Sequence, residues 1–265
     1  MTEYGLVSIV TPSYNCSEFI NETITSIQSQ TYTNWELLIT DDCSTDNSRD
    51  IIQSFADADP RIKLLVLDKN SGAGVARNNS IKEAKGRFIA FCDSDDRWYP
   101  DKLEHQLKFM VENDYHLTYT SYDTCDNEGN INGFVQCLVK LSKAKILRDN
   151  GIGCLTAIYD ADKIGKQFMP SIRKRQDWCL WIDIITKYGA AYGLQKPLAL
   201  YRVRQGSISS NKIEMLRYNF NVYNQVVGYN KLLATLLLGG YFLPYYFYKK
   251  SKQKRDYNKR VHGIK

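Results

Sequence analysis

Over the first 115 residues, short apolar runs alternate with amphipathic segments, and this alternation fixes the fold class. The runs are GLVSIVT, WELLIT, RIKLLVL and RFIAFC. Between them, apolar residues recur at helical spacing. Glu18–Gln30 reads as a helix with Ser17 as its N-cap and Ile20, Ile24 and Ile27 on one face. A second helix carries Ile51, Ile52 and Phe55, and GVARNNSIKEAKG is a third. The fourth, PDKLEHQLKFMVEN, has Pro100 near its start, where a missing N–H is tolerated. Strands alternating with helices of this length build βαβ units. A Rossmann-like, mostly parallel α/β sheet with helices on both faces is therefore expected.

After Tyr115 the pattern changes. HLTYTSYDT and INGFVQCLV, joined by the turn-like DNEGN, read as a short antiparallel part. A helical segment from Ser142 leads into a glycine-rich loop, NGIGCL. RQDWCLWIDIITKYG is a helix with Trp178, Trp181, Ile182 and Ile185 on its apolar face; LALYRVR is a late strand, and Asn211–Gly228 is helical. The expected organisation is a catalytic domain over 1–228, with halves of about 1–115 and 116–228, followed by an apolar then basic helical tail over 229–265.

Charge separates the tail from the body. Residues 229–265 hold nine Lys/Arg and one Asp, a net of +8 in a chain of net +6, so the body carries −2. This argues against a nucleic-acid face spread over the fold. LLATLLLGGYFLPYYFY (232–248) is uncharged, but it only reaches the lower limit for spanning a bilayer and is interrupted by Gly239, Gly240 and Pro244. Its aromatic residues, followed by KKSKQKRDYNKR, suit a membrane interface, and each basic residue adds about 1 kcal/mol of attraction to an anionic leaflet. Peripheral membrane contact through 232–260 is expected, with a helix packed on the domain as the alternative. Seven cysteines without a C-x-x-C pair argue against a disulfide framework or a zinc site and for a reducing cytosol. The start, MTEYGLVSIV, lacks the regions of a signal peptide. The expected location is cytoplasmic, peripheral on the inner face of the cytoplasmic membrane.

Ligands of open parallel sheets bind beyond the carboxyl ends of the strands. Asp41 and Asp42 follow the second run, and Asp93, Asp95 and Asp96 the fourth. Carboxylates this close raise one another's pKa unless a cation offsets the repulsion. A hard divalent ion does so, with a substrate diphosphate completing its shell. For DSDD alone, a solvated, N-capping acidic turn is the favoured reading. The second acidic pair and Arg77, at the start of the next helix, favour a nucleotide-diphosphate site. Gly72–Gly74 is not a dinucleotide fingerprint, because Arg77 stands where the third glycine belongs and the motif follows the third strand rather than the first.

VSIVTPSYN, LLITDDCSTDNS, GAGVARNNSI, FCDSDDRWYPDKL, RQDWCLW and YRVRQGSIS, in this order over about residues 5–210, resemble the inverting glycosyltransferases of family 2. The resemblance implies a glycosyltransferase-A fold, a nucleotide-sugar donor (a UDP-sugar foremost) and Mn²⁺ or Mg²⁺. Together with the tail's expected membrane placement, it suggests a glycan or lipid-linked oligosaccharide acceptor in surface polysaccharide synthesis. On this basis Pro12, Tyr14 and Asn15 border the base and ribose, Asp42 meets the base with Asp41 beside it, and Arg77 binds the donor. Asp95 contacts the metal directly, Asp93 the ribose or the metal's shell, and Asp177 is the general base. Trp98 is assigned to the donor rim and Arg204 to the pyrophosphate. An inverting transfer is one displacement in which the acceptor hydroxyl loses its proton as it attacks, so one base suffices. The metal stabilises charge on the departing diphosphate.

Two departures stand out. Gln176 replaces a usual Glu, and Arg204 replaces a His that often helps bind metal; the histidines here are His105, His116 and His262. Three other functions fit less well. A sugar nucleotidyltransferase would show a glycine-rich, basic loop after the first strand, and TPSYNCSEF is neither. A phosphatase would carry its nucleophilic D-x-D after the first strand. A non-catalytic nucleotide-sugar-binding subunit of a membrane assembly stays open because of Gln176 and the missing histidine.

Overall fold

The computed structural model describes residues 4–204 and 212–262. Its first half alternates strand and helix: β1 (Val7–Ser13), α1 (Ile20–Gln28), β2 (Trp35–Asp41), α2 (Ser48–Ala58), β3 (Ile62–Val66), α3 (Ala73–Glu83) and β4 (Phe88–Phe91). A short β5 (Arg97–Trp98) and α4 (Lys102–Glu112) follow. The second half comprises β6 (Leu117–Cys125), β7 (Ile131–Val135), β8 (Lys140–Leu141), α5 (Lys143–Arg148), β9 (Ile158–Asp160), α6 (Ala161–Ile164), α7 (Gln176–Tyr188) and β10 (Ala191–Arg202). Helices α8 (Lys212–Asn221), α9 (Lys231–Leu236) and α10 (Leu243–His262) complete the chain.

All the strands join one mixed sheet in the order β3-β2-β1-β4-β9-β6-β10-β5, with β7 on β6 and β8 on β10. The four leading strands are mutually parallel, whereas β9 runs antiparallel to β4 and β6. Every residue of β1 and β2 is buried, as expected of strands covered on both faces. Side-chain alternation sends Val7, Ile9, Leu37 and Ile39 to one layer, with Ile20, Ile24 and Ile27 of α1, Ile52 of α2 and Leu107 of α4. Val10 and Leu38 point the other way, toward Ile81 of α3, Ile146 of α5, and Trp178 and Trp181 of α7. The two tryptophans are core residues.

Three features differ from the sequence reading. The first helix begins at Ile20, and Ser17 does not cap it. The Ser17 N–H instead donates to Asp46 Oδ2 at 3.0 Å and the Cys16 N–H to Ser48 Oγ at 2.8 Å, tying this loop to the start of α2. The late strand is longer than LALYRVR and passes through Pro197, where its register with β6 shifts. In the tail, Gly239, Gly240 and Pro244 do not break the helix. A wide π-turn, Leu237–Phe242, joins α9 to α10. The wider turn relieves the proline ring's clash with the preceding turn.

The tail helices pack on the sheet layer that holds α7. Ala234 and Phe242 are buried, and the Phe242 ring lies 6.0 Å from Trp178. Leu232, Leu236, Phe247 and Tyr248 remain exposed on the outside. No helix among the described residues is long and apolar enough to cross a membrane. Gln205–Ser209, the end of the last motif, lie outside the described residues.

Candidate active site

Parallel pairing aligns the carboxyl ends of β2, β1 and β4. Pro12 stands opposite Thr40, Ser13 opposite Asp41, and the Cys92 N–H bonds Val10 O at 3.1 Å. Asn15, in the loop after β1, has φ 45° and holds the loop after β2: its Oδ1 accepts from the Thr45 N–H at 2.8 Å. Tyr14 beside it is half exposed. Cys43, with φ 63°, and Arg175, with φ 67°, also lie in the left-handed region beside this edge. Such backbone costs about 1–3 kcal/mol per residue and gathers where loops are forced to aim side chains.

The adjacent carboxylates Asp41 and Asp42 have different surroundings. Asp41 is fully buried, and its Oδ2 accepts from Arg49 Nε at 2.6 Å and the Ser44 N–H at 2.9 Å. It anchors its own turn. Asp42 accepts from the Ser71 N–H at 2.6 Å and the Gly72 N–H at 2.7 Å, one on each oxygen. Gly72 has φ 90°, which a side chain would strain, and it starts α3. Asp42 thus fixes the loop from which Arg77 is aimed.

Arg77 is 7% exposed, and its Nη2 meets Asp93 Oδ1 at 2.5 Å. Burial alone would favour the neutral guanidine; the Asp93 carboxylate reverses this and keeps the group charged, with a smaller contribution from Asp177. Asp95 pairs with Arg204 Nη2 at 2.7 Å. Burial foremost, with Asp93 next to it, pushes the Asp95 carboxyl up against the pull of Arg204. Asp96 is buried, and its Oδ1 accepts from the Arg202 N–H at 2.9 Å while Oδ2 has no partner. Burial, then Asp95 and Asp93, pushes this carboxyl well up.

The turn carrying these residues is held from two distant elements. Thr23 of α1 donates to Asp96 O at 2.8 Å. Arg202, fully buried at the end of β10, donates to Asp95 O at 3.1 Å and pairs with Glu22 at 2.7 Å. Thr23 and Glu22 lie outside the motifs, and Arg202, though inside YRVRQGSIS, was not given a role, because these contacts join segments far apart in the sequence.

Asp177 lies in the first turn of α7 and accepts from Asn150 Nδ2 at 2.8 Å. Gln176 packs against α3: a Cβ on Gly74 would sit 2.9 Å from its Cγ, and its Nε2 donates to Arg173 O at 2.7 Å. Glycine at 74 therefore lets the α7 start approach the helix of Arg77. Just before α7, Lys174 and Arg175 turn toward α8, with Lys174 on Glu214 at 2.6 Å and Arg175 on Asn219 at 2.8 Å.

The edge gathers Pro12, Tyr14, Asn15, Asp41, Asp42, Arg77, Asp93, Asp95, Arg204 and Asp177, but not Trp98 as a rim. That indole is 3% exposed, donates to Leu155 O at 2.9 Å and is covered by Lys102 at 4.2 Å. Sitting on a two-residue strand paired with β10, it faces the core. Arg204 faces a carboxylate here, the alternative partner to a pyrophosphate. Asn150 was missed: only its place in a glycine-rich loop marked it.

Metal fit follows from the donor set. Among the described residues, no group of three or more His, Cys, Asp or Glu is arranged to hold an ion. Asp93 and Asp95 are hard oxygen donors, each bound to an arginine through one oxygen. Two such carboxylates suit Mg²⁺ or Mn²⁺ that arrives with a diphosphate, and do not suit a cation held by protein alone.

The chain is similar to known proteins. The sequence profile described as Glycosyl transferase family 2 matches residues 8–164. The chain is 41% identical to a Bacillus subtilis (strain 168) protein provisionally named as the teichuronic acid biosynthesis glycosyltransferase TuaG, over 87% of this chain and 92% of that one. It is 40% identical to the Escherichia coli UDP-Glc:alpha-D-GlcNAc-diphosphoundecaprenol beta-1,3-glucosyltransferase WfgD, over 86% of this chain and 88% of that one. Among solved structures, Staphylococcus aureus TarS 1–349 in complex with UDP-GlcNAc superposes with a TM-score of 0.68 at 20% identity, covering 92% of this chain and 74% of that one. That likeness extends to the glycosyltransferase-A fold. With the profile covering more than half the chain and relatives matched along nearly their whole length, this protein belongs to glycosyl transferase family 2.

Proposed function

We propose that this glycosyltransferase moves a sugar from a UDP-sugar to a hydroxyl of a lipid-linked glycan in surface polysaccharide synthesis, with inversion and with Asp177 as general base. The observation that carries the mechanism is the convergence of one carboxylate from α7 with the Arg77–Asp93 and Arg204–Asp95 pairs at the strand ends. Relatives named for teichuronic acid synthesis and for transfer from UDP-Glc to a diphosphoundecaprenol-linked sugar support the donor and acceptor classes.

In this reading the catalytic body spans 1–228. Pro12, Tyr14 and Asn15 line the base and ribose, and Asp42 with Asp41 holds the adjoining turns. Arg77 and Arg204 face the diphosphate, an assignment favoured by the planar fork of the guanidinium. Asp95 and Asp93 would hold Mn²⁺ or Mg²⁺ with the donor, and the ion, when bound, would offset charge on the departing diphosphate. Asp177 takes the acceptor hydroxyl's proton. The acceptor oxygen bonds the anomeric carbon as the bond to the diphosphate breaks, and the electron pair leaves on UDP. A single base on the attack side suits one displacement without a covalent sugar–enzyme intermediate.

The tail supports attachment to the inner membrane face. Leu232, Leu236, Phe247 and Tyr248 are exposed, and the basic stretch after them is complementary to anionic headgroups. A thermal-shift screen of UDP-glucose, UDP-GlcNAc, UDP-galactose and GDP-mannose, with Mn²⁺ or with EDTA, tests the donor reading. A UDP-sugar with Mn²⁺ is expected to raise Tm and EDTA to cancel the rise. Stabilisation by GDP-mannose alone would overturn the choice of nucleotide. Sedimentation with vesicles containing anionic lipid tests the tail, and an unbound full-length protein at low salt would sink the attachment.

A further inference from the structure

The glycine-rich loop at residues 149–153 touches the assigned base. Asn150 Nδ2 donates to Asp177 Oδ2 at 2.8 Å. The other end of the amide accepts from the Ile152 N–H at 3.3 Å, so both ends of this side chain are engaged and its NH₂ faces the carboxylate. The loop is closely packed: a Cβ on Gly151 would lie 3.1 Å from Leu141, and one on Gly153 3.1 Å from Tyr122.

The C-terminal helix closes the other side. Lys249 of α10 forms an ion pair with Asp149, whose side chain is 12% exposed, and its Nζ also donates to Asn150 O at 3.3 Å. Further contacts hold α5, which leads into the loop. Tyr241 Oη donates to Ala144 O at 3.0 Å, Tyr223 Oη to Leu147 O at 2.6 Å, and Trp178 Nε1 to Ile146 O at 2.7 Å. Trp178 is the residue after Asp177, so loop and base share one support.

We propose that Asn150 is a positioning residue for Asp177 and that Lys249, on the tail helix, holds Asn150 in place. The inference rests on the reading of Asp177 as the base. An N–H donor on one carboxylate oxygen fixes the rotamer and so the direction of the other, and a displacement of about 1 Å between reacting groups costs about 10²-fold in rate. Lys249 acts through Asp149 and the Asn150 backbone. The tail thus contributes to catalysis as well as to attachment.

Turnover is read as UDP release from UDP-glucose, UDP-GlcNAc or UDP-galactose, whichever the wild type consumes, and loop order as amide hydrogen exchange over residues 149–153. Asn150→Ala is expected to lower kcat about 10²-fold with donor KM within twofold. Lys249→Met is expected to lower kcat about tenfold and speed exchange in the loop, with Lys249→Arg restoring both. In an Asp177→Asn background, Asn150→Ala should add less than twofold, since it acts only through the lost carboxylate. Wild-type kcat in Asn150→Ala, or unchanged exchange in Lys249→Met, would overturn the proposal. Full activity in Asp177→Asn would overturn the base assignment instead, and the exchange measurement judges the Lys249 clamp independently of it.

Discussion

The proposed donor edge and the proposed base side of this site are built in opposite ways. On the donor edge, carboxylates at the ends of parallel strands are locked by arginines from α2, α3 and just past the end of β10: Asp41 to Arg49, Asp93 to Arg77, Asp95 to Arg204. On the base side, Asp177 rests on one amide from a loop that a distant helix steadies. A rigid sheet edge is suited to holding a charged donor with little reorganisation. A base carried on a helix start and a packed loop depends instead on tertiary support from elsewhere in the chain. The two sides should therefore fail differently.

The sharpest test is Asp177→Asn, nearly isosteric but unable to accept the acceptor's proton. Transfer should fall about 10³-fold, near 4 kcal/mol in transition-state free energy, while donor affinity by calorimetry stays within twofold. A matching loss of donor affinity would place Asp177 with the donor edge and dissolve the contrast.

Phe242→Ala asks whether the base side needs the tail. Phe242 is 3% exposed and packs against Trp178 and Tyr246. Truncating a buried phenylalanine costs about 3–5 kcal/mol, and the expected loss is about 3 kcal/mol in denaturant unfolding. A loss below 1 kcal/mol would mean that the tail merely rests on the body.

Asp42→Ala examines the other side. It removes the partner of the Ser71 and Gly72 N–H groups, which costs about 1–3 kcal/mol where they stay buried. Donor KM should rise about tenfold with kcat within threefold, the reverse of the pattern expected for Asn150→Ala. Equal effects on KM and kcat would show that the two sides are not separable.

This asymmetry also explains what could be read before the structure. Asp42, Arg77 and Asp93 follow apolar runs whose neighbours in the sheet are set by βαβ connection, so local periodicity placed them at one edge. The alternating body, the antiparallel turn at DNEGN and the α7 helix were legible for the same reason. Arg202 was not: its partners Glu22 and Asp95 meet it only after β10 crosses the sheet. Trp98 was misjudged because adjacency to an acidic turn says nothing about which way a two-residue strand faces. Ser17 has the composition of a cap, but the helix begins at Ile20 with Phe19 at the cap position, so Ser17 lies too early to cap it. In the tail, glycine and proline suggested breaks, yet a π-turn let the helix continue and deliver Lys249 to the base-side loop.

The smallest effect concerns what the donor edge costs the fold. Lys102 is fully buried behind the D-x-D turn, donates to Gln106 Oε1 at 2.8 Å and lies 4.2 Å from the Trp98 ring centre. Burial pulls its ammonium down to about 7 from the unfolded value of 10.5. Between these two values the unfolded chain holds the proton and the folded chain does not, so unfolding takes up protons and stability rises with pH. Below pH 7 both states are protonated and the penalty is at its full, constant size. Lys102→Met removes this dependence but leaves Gln106 Oε1 short of a partner, a pH-independent cost of about 1–3 kcal/mol. The variant's Tm relative to wild type should therefore be most favourable at pH 7 and decline steadily toward pH 10. The tyrosines and the cysteines other than Cys92, which interacts with Lys102, titrate alike in both proteins and cancel in the difference. A difference that stays flat from pH 7 to pH 10 would mean that Lys102 keeps its proton in the fold, stabilised by the Trp98 face and the nearby acidic turn, and that the donor edge imposes no such cost on the core behind it.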